Sequence, residues 1–525
     1  MATVSSHIQK PPGNRLVEWL LRYRTSSRIA LILKAATTIL GAVLSLGWQR
    51  WLLEVMKDDL FGKWKTFQNL VSLGGVGDFG ISGGMAIRVM HYLAGEQDEK
   101  CQRFLANARG VFLGISSAFL VAAVCFCPWL PGWLGMDESA SSGSMQILFL
   151  TAGLGVALML LGGYVQALNY IYGSVVWPII PSFIFTQVGF AAQLFLAKMG
   201  APLWEQYAVY ITLSVISLIL FWNLLRISHP WLGNIRPIRF DFGELRNLLS
   251  TSFWMYLISV GNYLYVNTDR VLIGKHFSFS TVTPYTNNYR LCELAITLIA
   301  TASYVGIPAI LKRLLSASPD DRTIGLSAVK RLQKFQIFAA CLVAGCYLFF
   351  NEIFMRVWLG EKYIVSVGLQ LAFGLNLAVI IGGDLGVQVL TRINDRGVRI
   401  VGLAVAGAAL INLGLAFAAM HLGSITGIAI STAIAQSLSS LVISWFACPH
   451  LGISWKSWNL QSLVLPVLFM LAAGFVRNLI APNSITHFLT LGLILTGFCL
   501  ALAFSIRLGW SDLKDELNRI RPGRR

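Results

Sequence analysis

The sequence predicts an all-α polytopic membrane protein with about 14 transmembrane helices. Three observations carry that prediction. The 525-residue chain is 56% hydrophobic and only 12% charged, about half the charged fraction of an average soluble protein. Apolar runs of about 20 residues, enough to cross a bilayer as a helix, recur from Leu31 to Arg507. The gaps between them are short, the longest at 87–103, 227–246 and 312–331, so no folded soluble domain fits between spans.

In chain order the spans fall at 29–55, 63–86, 104–130, 144–170, 174–197, 203–226, 247–274, 283–311, 332–358, 366–391, 398–421, 422–446, 460–481 and 485–508. A shift of about 220 residues lays Gly47–Leu53 on Asn267–Ile273, with Arg50 over Arg270, and Gln68-Asn69 near Tyr289-Arg290. That internal repeat predicts two pseudo-symmetric six-helix lobes of the same topology, with two extra C-terminal helices outside it. The expected organisation is a cytoplasmic or interfacial N-terminal segment at 1–28, an N-lobe at 29–226 and a cytoplasmic linker at 227–246. A C-lobe follows at 247–446, then spans 13 and 14 at 447–508 and a basic cytoplasmic tail at 509–525.

Net charge is +17, and its placement fixes orientation. With the N-terminus inside, about 29 Lys and Arg fall on cytoplasmic segments against about 10 on outer ones. Both termini are therefore expected in the cytoplasm of a cell (inner or plasma) membrane protein. The bias accounts for the basic balance without nucleic-acid binding. Met1 to Arg28 lacks the apolar stretch and small-residue site of a cleavable signal. The eight cysteines lie mostly in apolar runs and read as small filling groups. Histidines show no paired spacing, and no phosphate-binding glycine loop is present, so neither a metal nor a cofactor is expected.

Ionisable residues inside spans are expensive, so each is a candidate site. The richest stretch is the hairpin from Thr251 to Lys312. Counting about 1.5 Å per residue puts Arg290 about 10 Å and Glu293 about 15 Å into span 8. They share a face at i, i+3 and either neutralise each other or face a cavity. Asn287, Asn288 and Tyr289 flank them, and Tyr285 joins Tyr289 as a possible sugar-stacking ring. Asn69 in span 2 and Lys34 in span 1 are further cavity candidates. Asp269 and Arg270 fall about 33 Å along span 7, where a snorkelling interfacial pair is expected, with Arg50 as the equivalent in the first half. Asp78 and Asp384 sit in glycine-rich contexts and, with Glu293, are candidates for ion coupling, beside a plain packing role.

Three segments carry a family resemblance. Leu60-Phe61-Gly62-Lys63-Trp64 followed by Gly77-Asp78-Phe79-Gly80-Ile81 resembles a run E-x-Y-G-x-W … D-L-G. Asn267-Thr268-Asp269-Arg270-Val271-Leu272-Ile273-Gly274 is similar to N-x-D-R-x-x-I-G. Asn394-Asp395-Arg396-Gly397, through Asn412 to Gly423–Ala433, is similar to a basic loop with a G-I-x-G-A-A-x-A-T tail. In this order and on these spans they resemble the polysaccharide-repeat-unit flippases (O-antigen or lipopolysaccharide type) of the MOP superfamily of multidrug, oligosaccharidyl-lipid and polysaccharide exporters. The acidic residue before Phe61 is missing.

The resemblance implies two lobes around a cavity that opens alternately to each side. It implies a polyprenyl-pyrophosphate-linked oligosaccharide as substrate, moved from the cytoplasmic to the outer leaflet for surface polysaccharide synthesis, and a polysaccharide polymerase and chain-length proteins as partners. In that setting Arg290 would meet pyrophosphate and Glu293 would set its geometry. Two other readings remain: a MATE-like drug or small-molecule antiporter, and a polyprenyl-phosphate-sugar-dependent glycosyltransferase. The first would want carboxylates to dominate the cavity. The second would use an acidic pair such as Asp58-Asp59 but also needs a large outer domain, for which the loops leave no room.

Overall fold

Long runs of Leu, Ile, Val and Ala, whose backbone polar groups can be satisfied only within the segment, fold as helices. The computed structural model describes residues 27–72, 80–82, 85, 89, 92, 98–126, 129–133, 142–171, 179–228, 232, 242–314, 318–393 and 395–479. Among them there is no strand. The N-terminal segment, Asp78, span 14 and the basic tail lie outside the described residues.

The helices are α1 (Ser27–Ser72), α2 (Asp98–Phe126), the short α3 (Leu130–Trp133), α4 (Ser142–Ile171), α5 (Ile179–Lys198) and α6 (Leu203–Ser228). Then come α7 (Phe242–His276), α8 (Phe279–Leu314), α9 (Pro319–Trp358), α10 (Val367–Ile393), α11 (Asp395–His421) and α12 (Ile425–Leu451). Span 13 is built from α13 (Trp455–Asn459), a π-helical turn (Leu460–Val464) and α14 (Leu465–Leu479). Among the described residues nine helices are long and apolar enough to cross a membrane. The long helices that miss that threshold, α1, α7 and α8, carry the ionisable residues of the candidate site.

Two boundaries differ from the sequence expectation. Residues 319–331 are the start of α9 rather than a loop: Pro319 occupies the first turn and Asp320 and Asp321 face the positive end of the helix dipole. Hydropathy misses that extension because a charged helix outside the bilayer reads as a loop. Spans 1 and 2 are joined without a loop, α1 kinking at Lys57, whose φ of 62° and ψ of 179° are non-helical.

The described residues divide into two compact units. One holds Ser27–Met56 and the elements from Val71 to Phe253; the other holds Lys57–Leu70 and everything from Trp254. The beginning of span 2, expected with the N-lobe, thus belongs with the second unit. The first unit packs around Phe104, Phe112, Tyr164, Leu168 and Leu225. The second has a core of Ile273, Tyr285, Tyr289, Leu348, Phe373 and Met470. Span 13, outside the repeat, is fixed to this core. Gly382 on α10 approaches the π turn so closely that a Cβ would lie 1.8 Å from the Ser462 carbonyl. Arg477 on α14 reaches Glu352 on α9 at 2.5 Å and Gln370 on α10 at 2.7 Å.

Candidate functional site

Helix α7 ends on Lys275 and His276, and α8 begins at Phe279. The Ser278 hydroxyl accepts the Thr281 N–H at 3.2 Å and caps the new helix. Residues 57–70 lie against this hairpin. Phe61, Trp64 and Phe67 are buried, Thr283 donates to the Asp58 carbonyl at 2.7 Å, and a Cβ on Gly62 would lie 2.0 Å from the Phe279 carbonyl. Only glycine allows that approach. Lys65 and Asn69, one helical turn apart on α1, share a face. That face is directed at the hairpin.

Glu293 on α8 is the centre of what they meet. Its Oε1 accepts from Arg270 of α7 and its Oε2 from Arg290 at 2.9 Å. Arg270 is 6% exposed. It also donates to Asn69 Oδ1 at 2.9 Å and lies over the Tyr289 ring at 5.7 Å. The Tyr263 hydroxyl donates to the Asn69 carbonyl and fixes that residue. Arg290 differs: Glu293 is its hydrogen-bond partner and its side chain is 31% exposed. Lys65 completes the group. Its ammonium donates to Gln68 at 3.2 Å and lies within Coulombic reach of Arg290, Arg270 and Glu293. Two guanidiniums thus share one carboxylate. Arg270 spends both terminal nitrogens on Asn69 and Glu293 and keeps a buried Nε without a hydrogen bond among the described residues, while Arg290 keeps N–H groups that Glu293 does not use.

A second carboxylate lies one residue before Arg270. Asp269 is 4% exposed. Its Oδ2 accepts from Tyr285 at 2.7 Å and from Thr432 of α12 at 3.4 Å. Ser431 donates to Asn412 Oδ1 on α11 at 2.8 Å, and the one Thr432 hydroxyl proton is shared between that oxygen at 3.3 Å and Asp269. Asp269 Oδ1 is buried and makes no hydrogen bond among the described residues. Three helices thus gather oxygen groups around one acid, a donor set that suits a proton or a small cation. Among the described residues no group of three or more His, Cys, Asp and Glu is assembled.

Asp269 and Arg270, expected as a snorkelling pair, are two buried residues with different partners. Neighbours on a helix point about 100° apart, and the long Arg270 side chain carries its charge down the hairpin to Glu293, a reach that Cα depth ignores. Asn288 also departs from a cavity role. Its amide donates to Pro284 and Tyr363 carbonyls at 2.8 Å each and its Oδ1 accepts from Asn351 at 2.8 Å. Tyr289 and Tyr285 are core rings packed on Phe373, and Asn287 is fully buried. Asn69 is in the cluster. Lys34 is exposed on the first unit. Arg50 makes an exposed pair with Glu54 at 3.1 Å. Asp384 accepts from Gln388 and Gln336 at 3.3 and 3.4 Å, and Asp78 lies outside the described residues. Sequence reasoning missed Lys65; its i, i+4 relation to Asn69 was the available signal.

Beyond the cluster, at the hairpin tip, Asp58 accepts from Lys362 at 2.9 Å and from the Tyr363 hydroxyl. Burial alone would lift the Asp58 carboxyl. The hydrogen bonds from Tyr363 and Lys362, with the charges of Lys362 and Lys57, outweigh it and hold the group below its ordinary value. The same bonds, to Tyr363 and Asp58, hold the Lys362 ammonium above its ordinary value.

Residues 179–368 match the family model described as "Polysaccharide biosynthesis protein". No curated protein sequence matches the chain significantly. Among solved structures, the chain is similar to the lipid II flippase MurJ in an inward closed conformation. The TM-score is 0.67 at 13% identity, over 92% of this chain and 99% of that one. It is also similar to an inward-facing multidrug resistance MATE family transporter of the MOP superfamily, with a TM-score of 0.56, 11% identity, and 81% and 99% coverage. A Vibrio cholerae MATE transporter, VcmN, gives a TM-score of 0.56, 12% identity, and 86% and 99% coverage. The chain is an all-α polytopic membrane protein that shares its fold with these transporters, and over residues 179–368 it matches the model of the polysaccharide biosynthesis protein family.

Proposed function

We propose that this protein is a flippase that moves polyprenyl-pyrophosphate-linked oligosaccharide units from the cytoplasmic to the outer leaflet, by alternating access, for surface polysaccharide synthesis. One observation carries the reading: Arg290 bonds Glu293, its side chain is 31% exposed, and it keeps N–H groups that Glu293 does not use. A pyrophosphate cannot enter hydrocarbon unpaired, and a guanidinium with free N–H groups answers its charge. The match to a polysaccharide biosynthesis family supports the sugar, and the fold shared with MurJ supports a lipid-linked cargo. An antiporter for cationic drugs would need the acids to dominate, and here the cations do.

In this reading the lipid tail stays in the bilayer while the headgroup passes through the protein. An inside-negative potential favours outward movement of the anion by about 2.3 kcal/mol per charge per 100 mV, so no ATP is needed. Asp269, with its unpartnered oxygen, joins Glu293, Asp78 and Asp384 as a group for ion coupling. The Lys and Arg bias supports an inner-membrane location with both termini cytoplasmic. A polysaccharide polymerase and chain-length proteins would take over the product.

The test is reconstitution in proteoliposomes with a fluorescent polyprenyl-pyrophosphate oligosaccharide supplied in one leaflet. Flipping by wild type, lost in Arg290→Ala and in Lys65→Ala and partly kept in Arg290→Lys, is the expected outcome. Full activity of Arg290→Ala would remove the central claim.

A further inference from the structure

Helices α11 and α12, both in the second unit, leave an open groove of about 390 Å³ between them. Its lining runs from Ile400 to Ile411 on α11 and from Leu438 to Phe446 on α12. The floor is open at Gly407, where a Cβ would meet nothing within 4 Å. The walls are apolar, and Ile411, Leu438 and Phe446 are exposed. The polar side chain in the lining, Ser439, is buried and shares a hydrogen bond with Tyr265, so the groove offers water no partner. One end is charged. Arg396, one helical turn before Ile400, lies on the groove face of α11. Arg399 stands beside it, its guanidinium over the Trp254 ring at 5.9 Å. Both arginines are exposed, as is His450 one turn beyond Phe446 on α12. From Arg392 to Arg399 the sequence sets three arginines against one acid, Asp395. This end is also the N-terminus of α11, the positive end of its dipole.

We propose that this groove holds one chain of an anionic membrane phospholipid, whose phosphate is met by Arg396 and Arg399. The dimensions fit one leaflet. From Ile400 to Ile411 the groove follows α11 for about 16 Å, close to half of a hydrocarbon core about 30 Å thick. The charge sits where a headgroup would lie, at the end of the groove and not along it. Under the orientation that the Lys and Arg bias supports, that end faces the cytoplasm, and basic pockets between membrane helices on that side suit anionic headgroups. A helix of a second copy would follow the full core of about 30 Å, twice the length of the groove. The site requires only a bilayer, so it does not rest on the function proposed above.

The test is native mass spectrometry of the delipidated full chain in detergent, titrated with phosphatidylglycerol or with phosphatidylcholine of the same chains. Wild type is expected to retain one phosphatidylglycerol at concentrations about tenfold below those needed for phosphatidylcholine. Gly407→Leu, which fills the open floor, is expected to lose that lipid. Gly414→Leu is the control: Gly414 is exposed on the same helix outside the groove, and a Cβ there also meets nothing within 4 Å. It is expected to keep the lipid and to unfold at the same temperature as Gly407→Leu. Arg396→Ala combined with Arg399→Ala is expected to hold the two lipids within about twofold of each other. Retention of phosphatidylglycerol by Gly407→Leu, or equal retention of both lipids by wild type, would overturn the site. So would displacement of phosphatidylglycerol by much lower concentrations of polyprenyl phosphate, which would give the groove to a cargo tail. A dimer that disappears in Gly407→Leu would overturn it in favour of a second copy.

Discussion

Glu293 and Asp269 are acids in one unit, one bonded to Arg270 and the other beside it in sequence, and their surroundings are opposite. Glu293 is wrapped by charge: both oxygens are taken by guanidiniums, and Lys65 stands close by. Asp269 is wrapped by neutral donors, the hydroxyls of Tyr285 and Thr432, and keeps one oxygen without a hydrogen bond. A carboxylate between cations holds them at a fixed spacing and offsets part of their mutual repulsion. A carboxylate among hydroxyls does not need a fixed charge to satisfy its partners. On the proposed function, the first arrangement serves as a scaffold for an anion and the second as an exchange site for a proton or small cation. The sequence spacing of the two acids says nothing of this difference, which is made by α8, α11, α12 and residues 57–70.

Removing the charge that organises the first region is expected to have the largest effect. Glu293→Gln leaves Arg270 buried beside Arg290 and Lys65 without its counter-charge, and breaking a buried ion pair costs about 3–5 kcal/mol. Thermal unfolding in detergent should fall markedly and flipping should be lost with it. A stability equal to wild type would show that Arg270 is satisfied without Glu293. Arg290→Ala should separate the two properties. Arg290 is 31% exposed, so stability should change by less than about 1 kcal/mol. Losing a charge-assisted hydrogen bond to substrate, worth about 1.5–3 kcal/mol, should lower flipping by about tenfold or more. Should Arg290→Ala unfold as readily as Glu293→Gln, Arg290 is structural and the distinction between holding and binding arginines collapses.

How much of this was open to a reader of the sequence follows from which contacts are local. The spans from α4 to α6 and from α10 to α12 are continuous apolar runs, and hydropathy is a local property, so they were legible to within a few residues. Arg290 and Glu293 are one turn apart on one helix, and their pairing needs only that periodicity. The partners of Arg270 were not legible because Asn69 and Glu293 are 201 and 23 residues away. Lys65 sits just inside the expected start of span 2, where a lysine reads as a flanking charge. Only the packing of residues 57–70 on the hairpin turns it toward the arginines. Asn288 carried the right chemistry for a cavity, but Tyr363 and Asn351 claim its amide from a distance in sequence.

The second region should respond less. In Asp269→Asn the amide oxygen can still accept from Tyr285 and Thr432, while a buried donor replaces an oxygen that had no partner. A buried unsatisfied group costs about 1–3 kcal/mol, below the cost at Glu293. Unfolding measurements on both variants sharpen the comparison directly. If Asp269→Asn is the more damaging, Asp269 has a charged partner that neutral donors do not replace.

The smallest effect is expected at Asp58, which is half exposed and shares its partners with solvent. Its pair with Lys362 should contribute less than about 1 kcal/mol, so Asp58→Asn barely shifts unfolding at neutral pH. The pH dependence has a definite sign. A carboxyl held below its ordinary value in the folded protein contributes stability that is complete above that ordinary value and is lost as pH falls through the lowered one. Lys362, held above its ordinary value, contributes fully below that value and loses its contribution only as pH rises through the raised one. The Asp58–Lys362 contact is therefore constant across the neutral range and loosens only in strong acid or strong base. Wild type and Asp58→Asn should differ most at neutral pH and converge below the ordinary carboxylate range. A difference that grows on acidification would mean that the carboxylate repels its surroundings, and residues 57–70 would then be held by Gly62, Trp64 and Asn69 rather than by Asp58.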